Sequence, residues 1–484
     1  MKKIKIVFVI DKIGFLELSS IPILSSLVKK QGHYVKVIEF SRNPQKACNE
    51  IISWNPNILA YSICSNETKR YLEINKILKK SKDSFFSLFG GPHPTFAPSF
   101  IKEEGVDAIC RGEADICFPV FLQNFDTDKM YETSNFSFKK AAGEIKDNPL
   151  TFLVSDLDTL PFPDRDIVYS QSRFLASSPI KSFFAGRGCP FNCSYCFNHA
   201  FNAMYKGKGK ILRTKSVTYL FNEIQTVRNK HPLNFIKLHD DIFGADRDWL
   251  MEFANRYPRE IRLPFLCHAH PNMITDEYCR QLKKAGCYSV CVAIECGNEQ
   301  IRDSILNRKI NNKQIISSCE NLRKYGIRIY TLNMIGLPGE SDSEIFQTIE
   351  LNQQCRVDFA DASIFQPYPG TRIAEYCKTY GYLSNWDEVF KGQYLTTVLN
   401  FKSDFKEKIY ILHKLFPIIV DYPKLKLLLK FTFKLKKFLS KKAINLVYKL
   451  YYGLILHRRI YASKIPLIIR LRGAFLLLIS KHRV

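Results

Sequence analysis

Short apolar runs separated by helical stretches are the feature that most restricts the fold of this chain. Within residues 1–130 the runs fall at Ile6–Ile10, Val35–Phe40, Asn57–Ile63, Phe85–Phe89 and Asp107–Cys110, with a first helical stretch around Ile21–Gln31. Strands alternating with helices predict a doubly wound parallel sheet, whose ligands sit at the carboxyl ends of the strands. The candidate ligand loops are therefore Asp11–Leu18, Ser62–Glu67, Gly90–Pro94 and Arg111–Glu113. A second series runs Ser182–Gly186, Phe235–His239, Phe265–His268, Val290–Ile294, Arg328–Ile335 and Ala362–Phe365. Strands each followed by a helix predict a partial (β/α)6 barrel with its chemistry at the same strand ends. The polar stretch between the series closes on Leu160-Pro161-Phe162-Pro163-Asp164 and reads as a linker. The expected α/β architecture is a Rossmann-like domain over 1–130, a linker over 131–175, a barrel over 176–395 and a basic amphipathic helical region over 396–484.

Charge is unevenly spread. Of the formal net charge of +25, residues 421–484 carry +15, from 11 Lys and 5 Arg against Asp421 alone. A mildly basic body with a strongly basic end points to a tether or partner-binding segment before it points to nucleic acid. Leu428, Phe431, Leu435 and Phe438 share one helical face, and Lys430, Lys434, Lys437 and Lys441 lie roughly opposite. Such a helix packs on the body or lies on an anionic membrane surface. The apolar run Ile6–Ile10 is too short for a signal peptide, and no run reaches the ~18 apolar residues of a spanning helix. The expected location is cytoplasmic, peripheral at the inner face of the membrane if the tail binds lipid. The 15 cysteines are then reduced thiols, and clustered ones are metal-binding or catalytic.

One cluster stands out. Gly188-Cys189-Pro190-Phe191-Asn192-Cys193-Ser194-Tyr195-Cys196 spaces three cysteines as C-x3-C-x2-C directly after a predicted strand. Thiolates this close suit one soft metal centre. Cys189, Cys193 and Cys196 suit three irons of a cubane cluster, leaving the fourth open. Zinc is the competing reading, with His199 as fourth ligand.

The triplet, its Arg187-Gly188-Cys189-Pro190 lead-in and the aromatic Tyr195 resemble the signature of radical S-adenosylmethionine (SAM) enzymes. The resemblance covers about Lys181–Leu383 and implies a [4Fe–4S] cluster whose open iron takes S-adenosyl-L-methionine, reductive cleavage to a 5′-deoxyadenosyl radical, and an external electron donor. Later strand ends match in order. Leu238-His239-Asp240-Asp241 resembles the segment near the SAM amino group, giving Asp240 and Asp241 as contacts. Ala293-Ile294-Glu295-Cys296-Gly297 resembles a ribose and carboxylate segment, giving Glu295 and Gly297, with Cys296 where the family has Ser. Arg308 matches the arginine that follows, Ile335-Gly336-Leu337-Pro338 the fifth-strand loop with Gly336, and Pro367-Tyr368-Pro369-Gly370 the sixth. His268 and His270, at a strand end, read as a polar rim or as substrate or SAM contacts.

The first domain resembles the cobalamin-binding domains that precede such barrels. Phe89-Gly90-Gly91-Pro92-His93 and Arg111-Gly112-Glu113-Ala114-Asp115 carry the likeness, which implies Gly90, Gly91, His93, Gly112 and Glu113 as cofactor contacts. Where other cobalamin domains place an axial histidine this chain has Ile13, which implies a cobalt without that ligand. The combined expectation is cobalamin-dependent C-methylation of an unactivated carbon in a small or lipid-like substrate. The alternatives are radical cyclisation or rearrangement without methyl transfer, and a zinc-bound scaffold or nucleic-acid-binding protein.

Overall fold

The computed structural model describes residues 3–14, 17, 19–81, 84–140, 143–384, 396–426 and 440–462. The first sheet holds β1 (Lys5–Ile10), β2 (Tyr34–Glu39), β3 (Ile58–Ser62), β4 (Phe86–Gly90), β5 (Ala108–Cys110), β6 (Phe136–Lys139) and β7 (Ile145–Asp147) in the order β2-β1-β3-β4-β5-β6-β7. The first five are parallel. Both faces are buried, as expected of parallel strands under crossover helices. Phe8 and Ile10 pack with Val28, Phe118 and Phe121 on one side, and Val7 and Val9 pack with Ile51, Leu78 and Phe89 on the other.

The linker expected over 131–175 is corrected. β6 and β7 extend the first sheet in antiparallel sense. Phe136 and Phe138 enter its core, followed by Ile167, Val168, Tyr169 and Leu175. The pattern Phe136-Ser137-Phe138-Lys139 is a strand alternation, but four residues among polar neighbours give a weak signal.

The second body begins with β8 (Ile180–Phe183), β9 (Gly186–Arg187) and β10 (Arg213–Thr214). β11 (Phe235–Leu238), β12 (Phe265–Ala269), β13 (Cys287–Glu295), β14 (Arg328–Ile335) and β15 (Phe359–Ile364) follow. Six strands form an all-parallel open half-barrel in the order β15-β14-β13-β12-β11-β8, while β9 and β10 make a separate antiparallel pair. Ile236, Leu238, Cys267, Val290 and Val292 bury outward against the surrounding helices. Their neighbours of opposite parity, Phe235, Leu266 and Cys291, face the lumen.

The region expected to be a basic amphipathic tail completes the barrel. Helix Ser403–Asp421 packs Ile409, Leu412, Phe416 and Ile419 against Ala360, Ala362 and Ile349. Helix Lys441–Tyr451 and the turns that continue it to Ile460 place Tyr448, Tyr452, Leu456 and Ile460 on Phe235, Leu266, Cys291 and Phe359. These residues floor the lumen at the amino ends of the strands. Arg459 fixes the floor by pairing with Asp421 at 2.6 Å and donating to the Asp358 carbonyl at 3.0 Å. The faces expected at Leu428–Phe438 and Lys430–Lys437 lie outside the described residues. Among the described residues no helix is long and apolar enough to cross a membrane.

Candidate active site

The three cysteines occupy the loop between β9 and the helix Phe197–Met204. The loop turns at Gly188 (φ 92°), where a Cβ would lie 2.2 Å from the Ile211 carbonyl oxygen, so only glycine fits. Ser194 donates its N–H to the Leu306 carbonyl at 2.9 Å, and its own carbonyl accepts from Ile373 N at 3.1 Å. Phe191 stacks on His270 at 3.7 Å. Cys196 caps the helix, its sulfur accepting from Asn198 N at 3.5 Å. Burial pushes the Cys189 thiol up to about 11 and the Cys196 thiol up to about 12, with Asp241 and Cys193 adding to both. Loading a metal onto these sulfurs therefore releases protons.

Around Cys193 stand three of the expected contacts. Tyr195 donates its hydroxyl to Glu295 Oε1 at 2.9 Å. Arg308 Nη1 lies 3.6 Å from Cys193 Sγ and 3.5 Å from Tyr195 Oη, and Nη2 donates to the Ala293 carbonyl at 2.6 Å. Glu295 sits at the end of β13 with φ 70°, where the β13–β14 register shifts. Burial raises its carboxyl, opposed by Arg308 and Tyr195. Arg308 Nε is buried without a partner. A buried N–H of this kind costs free energy unless something accepts from it. With Asp241, which faces Cys189 and Cys196, these groups offer an acid for an ammonium and a cation for a carboxylate.

The remaining SAM expectations change role. Asp240 accepts from Ala185 N at 3.1 Å and from Gly186 N, so both oxygens hold the turn ahead of the cysteine loop, and burial lifts its carboxyl to about 7. Gly297 is required by packing, because a Cβ there would lie 2.4 Å from the Gln347 backbone. Gly336 (φ 77°) donates to buried Glu340 and faces Ile409. Cys296 is fully buried.

The zinc reading is also corrected. His199 Nδ1 bonds the Cys196 carbonyl and Nε2 accepts from Arg372 N at 3.3 Å, so both ring nitrogens are used by backbone. Among the described residues no group of three or more His, Cys, Asp or Glu side chains, the three loop cysteines included, is gathered closely enough to hold a metal ion. With both His199 nitrogens engaged, the loop offers three thiols and no fourth side chain, a donor chemistry that suits a cubane cluster with a free iron better than fourfold zinc.

A cavity of about 480 Å³ lies between the carboxyl ends of the first sheet and the barrel. This volume is in the range of cofactor sites. Gly90, Gly91, Gly112 and Glu113 wall it from the first domain, and Phe184 and Arg187 from the second. Its lining sets apolar side chains and glycine backbone beside charged groups such as Glu113, Asp115, Arg165 and Arg187, which fits a flat macrocycle with a polar rim. Among the described residues no histidine lines it, and Ile13 is buried in the core. The expectation for His93 is corrected: it is buried beside Phe100, bonds Ser65 Oγ at 3.0 Å, and burial lowers it to about 4. Gly91 and Gly112 answer the chain's own packing. A Cβ on Gly91 would lie 2.8 Å from Ile63 N, and one on Gly112 would lie 2.1 Å from Tyr205 Oη. Glu113 pairs with Arg213 at 2.6 Å and with Arg187 at 3.3 Å. The acids Glu113 and Asp115, with Arg187 and Arg213, thus clamp the two bodies, a role the sequence reading missed although both segments stood out.

The fold and the loop define a class. A profile of the radical SAM superfamily matches residues 184–351, and one of the B12 binding domain matches residues 18–122. The chain is a radical SAM protein with an N-terminal B12-binding domain. It is 25% identical over 437 residues to an uncharacterized methyltransferase of Pyrococcus horikoshii, covering 89% of this chain and 93% of that one. It is 19% identical to the cytidylyl-2-hydroxyethylphosphonate methyltransferase of Streptomyces wedmorensis, over 78% of this chain and 80% of that one. Among solved structures it is similar in fold to TsrM, a radical SAM methyltransferase of Kitasatospora setae with cobalamin and a [4Fe–4S] cluster bound. The TM-score is 0.64 at 14% identity, covering 78% of this chain and 75% of that one.

Proposed function

We propose that this chain is a cobalamin-dependent radical SAM methyltransferase acting on an unactivated carbon of a small or lipid-like molecule. The observation that carries the reading is that Arg187, two residues before Cys189, also walls the cavity of the first domain. When bound, the cluster and SAM supply a 5′-deoxyadenosyl radical from reductive cleavage, and cobalamin supplies the methyl group. The chain's own work is positional. Cys189, Cys193 and Cys196 hold the cluster, Asp241, Glu295 and Arg308 orient the amino acid end of SAM, and Tyr195 fixes Glu295. Arg187, Glu113, Asp115 and Arg213 keep the cobalamin cavity in register with the mouth, and the floor excludes water from below. The methyltransferases among its relatives support this outcome over cyclisation.

We assign the basic end a part in location, as a cytoplasmic protein held at the inner face of an anionic membrane. Leu446, Val447, Leu450 and Leu454 are 49%, 50%, 49% and 68% exposed on the side of their helix away from the floor, with Lys441, Lys442 and Lys449 on the same segment. Such a face suits lipid.

The test is elemental and product analysis on protein purified without oxygen from cobalamin-fed cells. The expected result is about four irons and about one cobalt per chain, with 5′-deoxyadenosine formed under reduction. Iron without cobalt removes the methyl transfer, and zinc in place of iron removes the reading altogether.

A further inference from the structure

The lumen contains a cation that no carboxylate among the described residues neutralises. On β11 the lumen-facing positions run Phe235, Lys237 and then His239, and on β12 they run Leu266 and His268. The His239 and His268 rings lie side by side at 5.3 Å. Lys237 Nζ rests 5.0 Å from the ring centre of Tyr461, a floor residue that also packs on Phe235. Among the described residues no carboxylate pairs with Lys237. Other interior lysines are satisfied: Lys181 donates to the carbonyls of Leu175 and Ala176, and Lys215 pairs with Glu223 at 2.7 Å.

The two imidazoles do not compensate Lys237, since they are donors as well. Burial, with Lys237 adding to it, lowers His239 to about 3 and His268 to about 4, so both rings are neutral and each carries one N–H. His239 Nε2 is buried with no partner. Across the lumen, Asp361 takes the Tyr330 hydroxyl at 3.3 Å. The β11–β12 side therefore presents one ammonium and two imidazoles. Unpaired polar groups in an interior are costly unless a ligand meets them. Phe184, on the wall of the cobalamin cavity, lies 6.2 Å ring to ring from His239, so these groups stand just behind that wall.

We propose that Lys237, His239 and His268 form an anion site inside the barrel, which holds an oxyanion group of the substrate and sets its reacting carbon toward the mouth. The substrate class is then an anionic molecule bearing a phosphoryl or carboxylate group. This rests on reading the lumen as the substrate chamber. Charge-assisted hydrogen bonds from an ammonium and imidazole N–H groups are the usual means of holding such an oxyanion.

The experiment is calorimetric titration of the anaerobic holoenzyme with inorganic phosphate, and separately with acetate. Wild type and the surface control Lys69→Met should each bind one anion saturably. Lys237→Met should weaken that binding by about tenfold or more, and Lys237→Arg should keep it. Tighter binding of phosphate or of acetate assigns the phosphoryl or the carboxylate class. His268→Phe keeps the ring volume, removes the N–H and should also weaken binding, which covers the case in which Lys237→Met fails to fold. Equal binding by wild type and Lys237→Met, or no saturable binding of either anion, overturns the site. Formation of 5′-deoxyadenosine by the same wild-type preparation is read alongside. Its presence without anion binding overturns the anion site alone, whereas its absence with anion binding overturns the radical reading and leaves the site standing.

Discussion

Arg187 and Asp115 form a bidentate pair across the two bodies of the molecule, with Nη1 at 2.7 Å from Oδ2 and Nη2 at 3.0 Å from Oδ1. Arg187 lies two residues before Cys189, and Asp115 follows the Gly112–Glu113 turn that walls the cavity. This pair, with those of Glu113 to Arg187 and Arg213, therefore sets the distance between the cysteine loop and the first domain.

Breaking that pair should separate the two cofactor functions. Asp115→Asn removes one of two carboxylates from the partly buried Arg187 guanidinium, a loss of about 1–3 kcal/mol. The expected result is a lower urea midpoint and weaker cobalamin binding, with iron content unchanged. Unchanged cobalamin affinity would show that the clamp does not shape the cavity.

The cysteine loop separates iron from zinc by one comparison. Cys193→Ala should lose most of its iron and all 5′-deoxyadenosine formation. His199→Asn, which alters only a side chain bonded to backbone, should keep its iron. Loss of metal in both variants would restore His199 as a ligand.

Glu295→Gln should keep the cluster and weaken SAM. The change removes the charge facing Arg308 while preserving a hydrogen bond from Tyr195. About tenfold weaker SAM binding is expected from one lost charge-assisted contact, measured by equilibrium dialysis on the iron-loaded protein.

Glu340 predicts a pH trend in stability. Burial lifts its carboxyl from an ordinary 4.5 to about 8, although Gly336 and Leu337 donate to it. Between these values the folded chain keeps a proton that the unfolded chain has released. Its contribution is complete below pH 4.5 and is lost as pH rises through 8. The urea midpoint should fall from pH 6 to pH 8.5, and Glu340→Gln should flatten the fall; an equal slope in the variant would assign the trend to other groups.

The exposed leucines of the C-terminal helix give the membrane reading its test. The full chain should co-sediment with vesicles rich in anionic phospholipid at low salt and not with neutral ones. Leu450→Asp with Leu454→Asp should abolish this, since both side chains face outward. Equal sedimentation by the variant would leave charge alone as the cause.

Much of the frame was legible because parallel strands buried on both faces leave continuous apolar runs. Val7, Val9 and Ile10 show this, as do Ile58 and Leu59. The cysteine loop was legible because its three cysteines are adjacent in sequence. What sequence spacing cannot carry is a pairing made by the fold. Asp240 resembles a cofactor contact until its two backbone donors are seen. Gly297 and Gly112 look like ligand cradles, yet each answers to a neighbour far along the chain, Gln347 and Tyr205. Lys237 shows nothing in sequence, because its meaning lies in the fold leaving it without a pairing carboxylate among the described residues. The floor was hidden for the same reason: Tyr448 and Tyr452 carry no signal of their own in sequence, and their partners are set only by tertiary contact.

That floor has a consequence for how the protein is made. Strands β8 to β15 are complete by Ile364, whereas the side chains that seal their lower opening begin at Tyr448. A ribosome adding about 5–20 residues per second leaves the half-barrel gaping for several seconds. During that interval Phe235, Leu266 and Phe359 are exposed to whatever apolar surface a crowded cell offers. The closing helix thus acts well after the strands it seals, and a nascent chain stalled before it would be a ready client for a chaperone.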